Sequence, residues 1–285
     1  MNRLGILCAA GMVAGGVLLS GQVQPPEPRK QFGASITGAY EGWFYNPDGS
    51  RSFLVGYYNR NSQQEIDVPI GPNNRIEPGG PDLGQPTHFL PGRQWGMFVV
   101  PTPKDFKPTD SYVWTIVANG QSMSIPLRVH PDYIMSPFAE IAVGNTPPVL
   151  RFEPNGKTVQ GPLASVTAPV HTASVSAPAP LELWVSDDVK YTSGSNAPPS
   201  SARAPVQVRW SKYRGPGAVT FDKPRPEFEK LQGSAAFNGR AETRAKFSEP
   251  GDYLLHVTAN DYSGDGGGGF GCCWTTAMVK VNVKP

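Results

Sequence analysis

Charge is scarce in this chain, and so are cysteine and histidine. Only 17% of the 285 residues are charged, and 25 basic side chains nearly balance 23 acidic ones, for a net charge of +2. No Lys/Arg cluster forms a stripe that would neutralise a row of phosphates, so no nucleic-acid partner is expected. Beyond the first twenty residues no apolar run is long enough to cross a bilayer, so no later membrane span is expected. The four histidines, His88, His130, His171 and His256, fall outside metal-ligand spacing of one another. Gly-x-Ser-x-Gly, Ser-x-x-Lys and Cys-x-x-Cys are all missing, and the glycine run 266–269 lacks the lysine of a phosphate loop. Nothing here supports a catalytic mechanism, and the expectation is a protein that is not an enzyme.

Proline and glycine are abundant instead, 31 and 32 residues. Proline removes a backbone donor and glycine weakens helix interiors, so long helices are disfavoured. With 39% apolar residues, the class that fits is all-β. Met1-Asn2-Arg3, an apolar run over 6–19 and polar Ser20-Gly21-Gln22 form the charged, apolar and polar parts of a secretory signal, assigned to 1–24. The expected location is extracytoplasmic, periplasmic or secreted, with an uncleaved N-terminal anchor as the alternative. Gln22 stands where a lipidated cysteine would be needed. A Pro-rich spacer covers 25–34.

The first folded unit is expected over 35–131. Aromatic and β-branched runs flank Asn46-Pro47-Asp48-Gly49, and a second pair of strands flanks Asn119-Gly120; both patterns predict hairpins. Pro126 assigns its strand to a sheet edge. Between the hairpins, 71–92 is dense in Gly and Pro and is expected to be a long loop, a common place for function. A linker over 132–146 leads to a second unit, 147–285. There Leu181, Leu183, Val185; Val206, Val208, Trp210; Tyr253, Leu255, Val257; and Val279, Val281, Val283 alternate with other residues. Such strands make a β-sandwich. The fold expected is therefore two β-sandwich domains in tandem. His256, opposite the apolar face of its strand, is expected to be solvated or packed on its neighbours.

Val206-Gln207-Val208-Arg209-Trp210-Ser211-Lys212, the run 215–221 and Phe247-Ser248-Glu249-Pro250-Gly251-Asp252-Tyr253 precede a closing Val279-Lys280-Val281-Asn282-Val283. Together they resemble a PKD-like, immunoglobulin-type repeat over most of 147–284. The chain departs from that pattern in lacking a Trp-Asp-Phe-Gly-Asp-Gly core and in carrying 266–274 before the last strand. The resemblance implies a spacer, adhesion or ligand-binding unit. In the first unit, Gly56-Tyr57-Tyr58-Asn59-Arg60-Asn61 and Pro91-Gly92-Arg93-Gln94-Trp95-Gly96 resemble segments of uncharacterised exported bacterial proteins, which implies no activity.

In an immunoglobulin-type sandwich, the loop after the second strand and the loop before the last share one end. Taking 181–186 and 253–259 as those strands brings Asp187, Asp188, Asp261, Asp265 and Trp274 to one tip as candidate binding residues. No cofactor is expected, since aspartates are ordinary solvated turn residues; calcium, which takes several oxygen ligands from irregular loops, is the alternative. Cys8 lies in the signal, so Cys272 and Cys273 pair with each other or with another molecule. The function expected is a binding or scaffolding protein that recognises a protein or a glycan through its loops. The alternative is a hydrolase with His88, Asp82 and Arg93 clustered in the 71–92 loop.

Overall fold

The computed structural model describes residues 28–140, 143–162, 169–190, 204–262 and 272–285. The signal segment 1–24, most of the 192–204 tract, Asp265 and the glycine run 266–269 lie outside them. The described residues are all-β. In the first sandwich, β1 (Ile36–Tyr45), β2 (Arg51–Asn59) and β6 (Gly92–Pro101) make one sheet. The other has the order β4-β7-β8, with β4 (Asn74–Glu77), β7 (Tyr112–Ala118) and β8 (Gln121–Leu127). A two-stranded clip, β3 (Ile66–Asp67) with β5 (His88–Phe89), lies beside them. Both predicted hairpins form. Asn119 and Gly120 take φ of 50° and 73°, the paired left-handed conformation that a two-residue hairpin turn requires. Pro126 sits on β8, an edge strand. The 71–92 stretch is not wholly loop, because it contributes β4 to a sheet edge and β5 to the clip.

Ile36, Phe53, Val55 and Tyr57 form a core with Ile76, Trp114, Ile116 and Leu127, all fully buried. Burial of each such side chain contributes roughly 1.5–3 kcal/mol. In the second sandwich one sheet runs β10-β9-β12-β16-β14, with β9 (Val149–Arg151), β10 (Val159–Gln160), β12 (Ala179–Asp187), β14 (Val219–Phe221) and β16 (Phe237–Phe247). The short β15 (Phe228–Lys230) also pairs with β16. The facing sheet runs β11-β18-β17-β13, with β11 (His171–Ser174), β13 (Gln207–Arg214), β17 (Gly251–Asn260) and β18 (Trp274–Lys284). The predicted alternation is what closes the core: Leu181, Leu183 and Val185 cluster with Val208, Trp210, Leu255, Val257, Val279 and Val281.

The outer face of β13, β17 and β18 is covered as well. Tyr213, fully buried, and the half-buried Leu254 and Met278 belong to the core of the first sandwich. His256 is 3% exposed and stacks on Tyr213 at 5.8 Å, so it is packed between the sandwiches rather than solvated. Trp274 is fully buried against Phe44, Leu54 and Val99, with Met135 and Phe138 of the connecting segment around it. The Gly/Pro-rich stretch grips β13 from the other side. The Tyr213 hydroxyl donates to the Gly84 carbonyl at 2.5 Å, and Thr87 N donates to the Tyr213 carbonyl at 3.2 Å. Arg214 reaches both Asp82 oxygens, at 2.8 and 2.9 Å.

Candidate functional site

The predicted tip comes together only in part. The ends of β12 and β17 and residues 145–146 bring Asp187, Asp188, Asp261 and Asn145 into one neighbourhood. Asp187 is 4% exposed, and Asp261 and Asn145 are fully buried. Asn145 Nδ2 donates to Asp261 Oδ2 at 2.7 Å. Asp187 accepts from Val189 N at 2.9 Å, and Asp188 accepts from the Thr146 backbone and hydroxyl at 3.2 and 3.0 Å. Burial, and then the nearby Asp261 and Asp188, push the Asp187 carboxyl up to about 7, against the Val189 hydrogen bond. Cys272 and Cys273 are disulfide-bonded to each other, and Cys273 Sγ lies 3.4 Å from the Asn145 carbonyl oxygen. Trp274, expected at this tip, points into the seam between sandwiches and offers no surface to a partner. Among the described residues, no three carboxylate, imidazole or thiolate groups stand at metal-binding spacing.

The hydrolase alternative needed His88, Asp82 and Arg93 together, and each is held by a different partner. His88 Nδ1 lies 3.0 Å from Asp67 and Nε2 3.3 Å from Glu65. Burial lowers its pKa, but the hydrogen bonds to both carboxylates outweigh this and leave it raised. With both ring nitrogens engaged, this histidine has no free lone pair with which to act as a base. Asp67 also takes Lys212, whose side chain is only 5% exposed, at 3.0 Å. Asp82 is paired with Arg214, and Arg93 with the buried Glu41 at 2.8 Å.

Among the described residues a different feature stands out, a groove between the two sandwiches. One wall is β6 and the other is the outer face of β13 and β17. Its main part has a volume of about 350 Å³ and is lined by Arg93, Gln94, Trp95, Arg209, Arg225 and Tyr262, among others, with His256 at its base. A second part of about 240 Å³ shares Arg209, Ser211 and Arg225 with the first and extends to His88 and Glu65. The Arg93 guanidinium lies 3.7 Å from the centre of the Trp95 ring, which is 38% exposed. Glu41 fixes that geometry, since its second oxygen accepts from Gly96 N at 2.9 Å. Arg209 Nη1 donates to Gln94 Oε1 at 3.3 Å across the gap. Arg225 is exposed.

Sequence patterning missed this groove. Its walls are more than a hundred residues apart along the chain, and only the run Arg93-Gln94-Trp95, a large aromatic beside a cation, marked one side. Its interior suits a ligand that is flat on one face and anionic elsewhere. An indole face accepts an apolar ring face, and guanidinium forks match carboxylates.

Among the described residues, no helix is long and apolar enough to cross a membrane. No family model matches the chain, and neither does any curated protein. Among solved structures, domains 4 and 5 of the S-layer protein SbsC share 11% identity with it, over 88% of this chain and 98% of that one, with a TM-score of 0.22. A protein of unknown function from Porphyromonas gingivalis W83 shares 8%, over 87% and 100%, at 0.23. The CfaE adhesin of enterotoxigenic E. coli shares 9%, over 91% and 83%, at 0.24.

Proposed function

We propose that this chain is an exported, non-catalytic binding protein that holds a carboxylate-bearing glycan in the groove between its sandwiches. The observation that carries this reading is the exposed Trp95 ring, held by Arg93 opposite Arg209 and Arg225. A pyranose ring stacks its C–H face on an indole, while a uronic-acid carboxylate pairs with a guanidinium. The volume falls within the range of small-molecule sites. The charged-then-apolar pattern of 1–24 supports export, and the PKD-like pattern of 147–284 fits a binding unit.

Titration with short uronic-acid oligosaccharides, followed by calorimetry and tryptophan fluorescence, tests the proposal. Binding is expected to weaken at least tenfold in Trp95→Ala and in Arg225→Ala, with unchanged melting, and to weaken with salt. Neutral oligosaccharides of the same length should bind more weakly. Equal affinity for neutral and acidic sugars, or binding indifferent to both substitutions, would refute it.

A further inference from the structure

The second part of the groove ends on an ion cluster. Building on the groove as a site for an acidic glycan, we propose that His88 is its pH switch. As an imidazolium it cancels Glu65 and Asp67 and leaves the cleft receptive to an anion; on losing its proton it turns Glu65 against that ligand. Geometry fixes the charged state. Nδ1 lies 3.0 Å from an Asp67 oxygen and Nε2 lies 3.3 Å from a Glu65 oxygen. A neutral imidazole has one N–H and one lone pair, so it donates to one carboxylate and sets its lone pair against the other. Only the imidazolium donates to both. The ring is buried, and the same Asp67 oxygen is held at 3.0 Å by the buried Lys212 ammonium from β13. The Glu65 side chain is 57% exposed, so it has room to turn.

The charged groups around the ring come from three places. Glu65 and Asp67 belong to the clip, Lys212 and Arg209 to β13, and Arg225 to the segment after β14. Tyr57 of β2 lies near Glu65, but burial raises its phenol and keeps it neutral. With His88 charged, two cations balance two carboxylates, and Arg209 and Arg225 leave the cleft positive. With His88 neutral, Glu65, Asp67 and Lys212 sum to one negative charge. Asp67 makes the shorter contact, so the remaining proton stays on Nδ1 and the Nε2 lone pair faces Glu65. Glu65, repelled, turns into the cleft it lines with Ser211 and Arg225, where the ligand's carboxylate would enter. Burial lowers the His88 pKa, but the hydrogen bonds to Asp67 and Glu65 leave it above its ordinary 6.5. The release therefore falls on the neutral-to-alkaline side, far from the ranges of guanidinium groups and uronic-acid carboxylates.

The test uses the full chain. An NMR titration, with the His88 signal assigned by its loss in His88→Gln, should give a midpoint above 6.5. Calorimetry with a uronic-acid oligosaccharide at pH 6 and pH 9 should show affinity falling about threefold to tenfold, the effect of one added charge near the ligand in screened solvent. His88→Gln should bind at the weak level at both pH values. Glu65→Gln, whose amide carries no charge to release, should keep the strong level at pH 9. Because Glu65 is exposed, that variant decides the matter even if His88→Gln fails to fold. Equal affinity at pH 6 and pH 9, a midpoint at or below 6.5, or a wild-type loss of affinity in Glu65→Gln would overturn the switch and leave the glycan reading standing. No binding at either pH would overturn the glycan reading itself, and the switch with it.

Discussion

Acidification should loosen the seam between the sandwiches through one side chain, His256. Its ring is buried against Tyr213, its Nε2 has no partner, and burial, with Arg209 nearby, lowers its pKa from 6.5 to about 4. A base whose folded pKa is depressed binds its proton in the unfolded chain first. The stability it contributes is therefore complete above pH 6.5 and is lost as pH falls toward 4. Between pH 7 and pH 5 the loss works out at about 2 kcal/mol by proton linkage. His256→Gln keeps the size of the side chain and cannot titrate. Urea melts of both proteins at pH 7 and pH 5, in chelator, give the quantity directly. Carboxylates that titrate in the same range do so in both proteins, so the difference between the two pH dependences isolates His256. Wild type should lose about 2 kcal/mol more than the variant. Identical pH dependences would show that the imidazole is not held neutral in the fold, and would refute the buried seam around it.

Other consequences are open to direct measurement. Trp274→Ala should cost about 3–5 kcal/mol, the range for truncating a fully buried aromatic, read by urea denaturation. A surface value near zero would mean that the indole does not bridge the sandwiches. Gly120→Ala, which forces a Cβ onto a residue at φ 73°, should cost about 1–2 kcal/mol in the same assay. N-terminal sequencing of exported protein should find a mature start near residues 22–25, and an intact N-terminus would contradict cleavage.

Much of the architecture was legible because period-two alternation reports which side of a strand faces its partner sheet. Leu181, Leu183 and Val185, and likewise Val279, Val281 and Val283, pointed inward as expected, and Asn119-Gly120 marked its turn. Alternation does not report whether the opposite side is covered too. That is why His256 was left open between solvent and packing on its neighbours, and Trp274 was placed among the candidate binding residues. A signal for double coverage was present in Phe53-Leu54-Val55, an unbroken apolar run of the kind found in strands buried on both faces. It was also present in Met278 and Trp274, large apolar groups on the supposedly polar side of the last strand. The aspartate neighbourhood was legible through strand order, but Asn145 was not, since a lone asparagine in a linker carries no pattern. The groove arises only from docking, which no local spacing encodes.

The grip of the Gly/Pro-rich stretch on β13 also sets an order of events in time. Its bonds join residues 129 to 132 positions apart, and Lys212 meets Asp67 across 145. A chain that emerges from its N-terminus first must hold 82–88 without its partners on β13 until that strand arrives. The first half then waits with Leu54 and Val99 exposed until Trp274, near the very end, covers them. Contacts of such long separation slow folding and leave sticky intermediates. The last strand is therefore the latch, and loss of only the final dozen residues should leave both halves, not one, open to aggregation.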